Sequence, residues 1–186
     1  WHGEDLDVTV LFFQPLFEKM SETVTVGLCG QGADELHAGY PRYRDLQNHS
    51  QQVRDRLDLM NCEINNLHGE AWWDSDHSPE KHTNSLEDFL QFEMENGQLS
   101  NFQLRLVDRH SMAHSLEVRV PFLGSRHRVA SSKLPLDWKL PPSLEEKAAL
   151  RSAADLTKLP KDIVRRPKMP AGSATSPRMI DSLMSE

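Results

Sequence analysis

Cysteine is scarce: Cys29 and Cys62 are the only two in 186 residues, they lie in unrelated contexts, and no CxxC pair joins them. A disulfide framework and a cysteine zinc site are not suggested, and a reducing cytoplasm fits such usage. Long apolar runs are missing as well. None approaches the roughly 18 residues that cross a bilayer, and no basic segment leads into an apolar one at the start. A soluble chain with no membrane partner is expected. Positive charge is the third shortage, with 21 Lys and Arg against 28 Asp and Glu and a net charge of -7. Nucleic-acid binders carry clustered positive charge, so no nucleic-acid partner is expected. The length suits one domain or a piece of a larger one. The chain opens at Trp1, and the expectation is a piece, truncated at its C-terminus too.

What is present is mostly helical periodicity. The β-branched run TVTVGL, 23–28, ahead of Gly30, reads as a buried strand running into a loop, and it is the one clear strand. Before it, QPLFEKM puts Leu16, Phe17 and Met20 on one side of a helix, with Pro15 at an early position. Leu46, Val53, Leu57, Met60 and Ile64 recur at helical spacing and predict one long helix over 43–67. A polar connection over 68–84 follows, rich in Gly, Pro, Ser and Asp. Ser85 as N-cap, Asp88 at the capping-box position and Gly97 past the end then delimit another helix. Further helices are expected over 98–117 and over 142–156, the second capped by Ser143, with a short turn over 159–166. The stretch 169–186 is polar and small in side chain, and is read as loose until Pro177.

The stretch LCGQGADELHAGY, Leu28 to Tyr40, sets three glycines and two adjacent acids behind the strand. Gly30 and Gly32 would let the backbone approach a ligand and turn its N–H groups toward an anion. Asp34 would stand beside that anion, where Mg²⁺ bound to a polyphosphate takes one or two protein oxygens. From spacing alone the plainer reading, turn glycines and a helix-terminal acid, is the stronger one.

Three ordered motifs change the balance. GQGADELHAGYPRY, then VDRHSMAHSLEVRVPFL from Val107, then LPKDIVRRPKMPAG from Leu159, together resemble the synthetase domain of glutamine-hydrolysing asparagine synthetases, from about Val24 to Gly172. SLEVRVPFL is the most specific part. The resemblance implies an α/β, adenine-nucleotide hydrolase-like synthetase domain, of which this chain would be the mostly helical C-terminal part with one clear strand. It also implies ATP and Mg²⁺ as cofactors, and aspartate and ammonia as partners, the ammonia coming from glutamine in the full-length parent. The implied chemistry is adenylation of the aspartate side chain, release of pyrophosphate, and displacement of AMP by ammonia. A homodimer is compatible with it.

Carried over residue by residue, the resemblance puts Cys29, Gly30, Gln31 and Gly32 against the nucleotide and the adenylate. Asp34 falls on Mg²⁺ and pyrophosphate, and Lys168 faces the phosphates as a mobile point charge. Without the family match, Lys168 would read as a solvated surface lysine. Asp108, Arg109, Glu117 and Arg119 alternate with apolar residues, which suits an ion-paired scaffold as well as a substrate site; Arg119 or Arg109 could fork a carboxylate, with Glu117 beside them. His110 and His114 lie four apart on one helical face, but no third ligand is spaced to complete a zinc site.

The departures matter too. Where many relatives have glutamate, this chain has Gln31, whose amide does not titrate and cannot act as a base. Gly124 stands where an acid often follows Pro-Phe-Leu, and Asn101 and Gln103 lie where an acid often precedes the Asp-Arg pair. No N-terminal nucleophilic Cys and no SGGxDS loop occur in this sequence. The expectation is therefore a partial synthetase domain, over 1–186, that is inactive by itself and belongs to a larger asparagine-forming ligase. Two alternatives stand beside it: a β-lactam or carbapenam synthetase relative, and a non-catalytic descendant acting as a binding or scaffold module.

Overall fold

A computed structural model of the chain describes residues 13–51, 85–95, 97–143 and 145–169. The first helix, α1 (Phe13–Ser21), carries Pro15 in its first turn, where a missing N–H costs nothing. Phe17 is buried and Met20 half-buried, while Leu16 turns outward at 47% exposure, so the apolar stripe is narrower than its spacing suggested. Strand β1 (Val26–Leu28) follows, shorter than the expected six residues, and its buried position is Gly27 alone. Val26 and Leu28 face outward. The reading of a fully buried strand is thus corrected to a strand buried on one face.

The larger correction is a second strand. The helix expected over 98–117 ends early: a π-helical turn (Leu99–Gln103) leads into α4 (Leu104–Met112), and the chain then reverses through Ser115, whose φ is +54°. Strand β2 (Glu117–Arg119) pairs in parallel with β1, Val26 opposite Glu117 and Leu28 opposite Arg119. The alternation of Glu117, Val118 and Arg119, which suits an ion-paired scaffold or a substrate site in the sequence, is here the period-2 signal of a strand. Val118 turns inward with Leu116 against Phe17, Val107 and Met20, where α1 packs on α4.

Between the strands in sequence lie α2 (Ala33–His37), a 3₁₀ turn (Pro41–Arg44), helical residues 46–51 and α3 (Leu86–Glu95). The long helix expected from 43 therefore starts after the 3₁₀ turn; its part beyond 51, with Cys62 and the connection to 84, lies outside the described residues, as does the tail from 170. Ser85 caps α3 as expected, its Oγ accepting the Asp88 amide at 3.1 Å and donating to Asp88 Oδ2 at 2.7 Å. Gly97 closes the other end on the Phe92 carbonyl at 2.8 Å.

After β2 come a 3₁₀ turn (Pro121–Leu123), α5 (Ser125–Ser132), α6 (Leu136–Lys139), α7 (Ala148–Asp155) and α8 (Lys161–Val164). Ser143 does not cap α7. That place is taken by Lys147, in the left-handed region at φ +58°. The short α2 is the hub: α3, α5, α7 and the Pro121–Leu123 turn all pack on it, and Ala33, Glu35, Leu36 and His37 are buried. Beside it Ala38, Tyr43, Phe89 and Leu90 form the second core cluster.

Candidate functional site

The site grows from the end of β1. The Cys29 amide donates to the Arg119 carbonyl at 2.9 Å, which extends the β1–β2 pairing by one residue and fixes where the turn begins. The Cys29 side chain packs against the Phe17 cluster, so only its backbone borders the turn. Gly30 has open space where a Cβ would stand. Gln31 is half-buried in the turn. Gly32 has φ +87°, and a Cβ there would lie 2.3 Å from Leu123 Cδ2, so only glycine serves. Seven residues on, a Cβ at Gly39 would lie 2.0 Å from Asp34 Oδ1. Gly32 and Gly39 are thus required by the fold itself, whereas packing makes no demand at Gly30.

Asp34 stands at the centre. Its Oδ1 accepts from Lys147 Nζ at 2.8 Å and its Oδ2 from Lys168 Nζ at 2.9 Å. All three side chains are largely buried, at 17 to 19% exposure. Burial alone would raise the Asp34 carboxyl, but the charge and hydrogen bond of Lys147, then those of Lys168, hold it below its ordinary value. Asp34 and Lys168, 134 positions apart, were both expected at one site; Lys147 was not. The sequence carried no signal for it, since Lys147 falls inside the helix expected over 142–156, and its place before α7 at positive φ is set by the tertiary structure.

The walls come from the same segment. Tyr40 places its ring under two cations, with the Lys168 Nζ 4.9 Å and the Arg42 guanidinium 3.9 Å from the centroid. Its hydroxyl accepts from Gln103 Nε2 at 3.0 Å. Arg42 is tied to Glu93 at 3.1 Å and to Gln98 at 3.2 Å. Beneath lies Glu35, fully buried, with its carboxylate beside Tyr40 and Asp34. Burial first, then the Asp34 charge, raises its carboxyl. On the other side of α2, His37 and His127 face each other Nε2 to Nε2 at 2.8 Å. Burial, then His127, lowers the His37 imidazole to about 4.

The candidate carboxylate-binding arginines lie on β2 and α4. Glu117 and Arg119 pair with each other at 2.9 Å on the exposed face of β2, and Arg109 is exposed on α4. His110 is buried and His114 half-buried. Among the described residues no group of three His, Cys, Asp or Glu side chains is placed to hold a metal ion, and no helix is long and apolar enough to cross a membrane.

A glycine turn at the end of a strand in a parallel pair, followed by a carboxylate held between two lysines, belongs to an α/β protein. The chain belongs to the asparagine synthase family, whose profile it matches over residues 11–184. It is 39% identical over 92 residues to the asparagine synthetase [glutamine-hydrolyzing] of Mus musculus, and 37% over 92 residues to that of Homo sapiens; each match covers 49% of this chain and 15% of the relative. The Gallus gallus protein of the same name is 43% identical over 68 residues, 36% of this chain and 12% of the relative. The chain thus aligns with about one seventh of the length of these relatives.

Proposed function

We propose that this chain is the C-terminal part of the synthetase domain, with an adenine-nucleotide hydrolase-like fold, of an ATP-dependent ligase that forms asparagine from aspartate. The observation that carries the proposal is the Asp34 carboxylate held between Lys147 and Lys168 at the mouth of the glycine turn. Such a cluster has two positive charges to offer a polyphosphate and one carboxylate to offer a hard cation, and the family membership of the chain supports that use.

In the proposed reaction the aspartate side-chain oxygen attacks the α-phosphorus of ATP, and pyrophosphate leaves with the electron pair of the broken P–O bond. The two ammonium groups turn from Asp34 toward the phosphate oxygens as negative charge grows there, and their long stems allow that movement. The open space over Gly30 leaves room for the nucleotide to lie against the backbone. Once the two ammonium groups have turned to the phosphates, the Asp34 carboxylate is released and would be the oxygen donor for Mg²⁺, which when bound would offset phosphate charge. Ammonia, supplied from glutamine in the whole protein, then attacks the acyl carbon, AMP leaves with the electron pair of the broken C–O bond, and the proton that the nitrogen sheds passes to the departing AMP phosphate. Gln31 orients the adenylate through its amide and takes no proton.

The test separates the two charge roles in the full-length protein. Lys168→Ala is expected to lower kcat for aspartate-dependent pyrophosphate release by roughly 100- to 1000-fold with little change in ATP KM, the size of one preorganised electrostatic contact. Asp34→Asn is expected to raise the Mg²⁺ requirement instead, and excess Mg²⁺ should restore its rate while leaving Lys168→Ala slow. Full kcat in Lys168→Ala would overturn the assignment.

A further inference from the structure

We propose that Tyr40 is a positioning residue whose ring holds the Lys168 ammonium near the phosphates when that ammonium leaves Asp34. The proposal rests on the role of Lys168 given above.

The physical problem is one of partners. To act on a phosphate, Lys168 must release Asp34 Oδ2, the anion that now fixes it at 2.9 Å. A flexible four-carbon stem freed from that ion pair would lose its place. A second carboxylate would hold it but would also compete with the phosphate and repel it. An aromatic face does neither: it attracts a cation through its quadrupole and carries no net charge. The Tyr40 ring is in that position already, its centroid 4.9 Å from Lys168 Nζ.

The ring is held from several sides. Gln103 fixes its hydroxyl at 3.0 Å. Tyr43 meets it edge-on at 5.4 Å and is itself edge-on to Phe89 at 6.0 Å, so the ring is anchored to the second core cluster. Arg42 stacks on it at 3.9 Å and is tied down by Glu93 and Gln98. Of the two cations over the ring, Arg42 is therefore the fixed one and Lys168 the one with a function that requires motion.

The experiment replaces Tyr40 in the full-length protein by Phe and then by mono-, di- and trifluorinated phenylalanine. These keep the shape of the ring and progressively weaken its negative face. Thermal melting checks that each variant is folded, and kcat and ATP KM are read from aspartate-dependent pyrophosphate release. Tyr40→Phe, which also loses the bond to Gln103, sets the reference for the series, and the trifluorinated ring should be roughly 5- to 30-fold slower in kcat than that reference with ATP KM little changed. Repeated in Lys168→Ala, the same series should be flat. A flat series with Lys168 present, while Lys168→Ala is itself slow, overturns the proposal and leaves the reading of Lys168 standing. An equal fall in both backgrounds assigns the ring to packing and also overturns it. Full kcat in Lys168→Ala removes both.

Discussion

Three glycines in eleven residues around Asp34 do three different things. Gly32 supplies a positive φ beneath Leu123, and Gly39 leaves the space that the Asp34 carboxylate fills. Gly39→Ala is expected to cost about 1–3 kcal/mol by overpacking, measured by denaturant unfolding, because a methyl group would stand 2.0 Å from Asp34 Oδ1. Gly30 differs: its φ is not in the left-handed region and its Cβ would meet nothing. Gly30→Ala should therefore raise stability by about 0.4–1 kcal/mol through the unfolded chain. The same variant in the full-length protein should raise ATP KM roughly tenfold or more if the backbone there lies against the nucleotide. Stability and binding moving in opposite directions is the outcome that marks Gly30 as a ligand-facing glycine.

The two lysines arrive at Asp34 on separate elements, and a buried arginine joins those elements. Arg151 on α7 donates through Nε to the Glu146 carbonyl at 2.9 Å, next to Lys147, and through Nη1 to the Val164 carbonyl at 2.6 Å, at the end of α8. Arg165, which pairs with Glu145 and Asp155, and Arg44, which donates to the Pro141 carbonyl at 3.0 Å, add surface ties to the same loop. Hydrogen bonds from a charged group are worth about 1.5–3 kcal/mol each. Arg151→Ala should thus destabilise the protein by about 2–4 kcal/mol. Arg151→Lys, which cannot make the two-direction fork, should recover less than half of that. Because Lys147 sits at φ +58°, a position that costs of order 1 kcal/mol or more, the loop depends on such ties to keep it there.

Across the whole molecule three buried titratable groups on α2 give stability a definite pH profile. His37, lowered from 6.5 to about 4, binds its proton less readily in the folded state than in the unfolded chain. Stability is then full above 6.5 and is lost as pH falls from 6.5 toward 4, by about 3 kcal/mol across that window. Asp34, held below 3.8, contributes stability above that value and loses it as pH falls through its lower folded value. Glu35, raised above 4.5, acts in the opposite sense, favouring the fold at low pH and weakening it as pH rises through the raised value. His37→Gln should therefore flatten the decline between pH 6.5 and 4 while leaving the loss below 3.8 that belongs to Asp34, as followed by urea midpoints at half-unit steps. An unchanged slope between 6.5 and 4 would show that the His37–His127 contact is not what resists acid.

Local chemistry made several features legible from the sequence. Ser85, Asp88 and Gly97 bound α3 because caps are set by neighbours in the chain, and the glycine turn with Asp34 could be placed because a strand must end before Gly30. Lys168 came only through resemblance, since a lysine after proline carries no local signal of its own. The parallel pairing of β1 with β2 was not readable: its partners are 91 residues apart, and three residues of alternation are too few to distinguish a strand from a helix end. Ser143 suits the cap of α7 because serine caps helices generally, yet the tertiary structure puts Lys147 there, at a conformational cost that its ion pair with Asp34 Oδ1 helps to offset. The sequence by itself determined which groups are available for the chemistry. Only packing around α2 decided that a carboxylate, two lysines and a tyrosine ring from distant segments stand within reach of one another, because long-range contacts are chosen by how buried surfaces fit and not by any pattern along the chain.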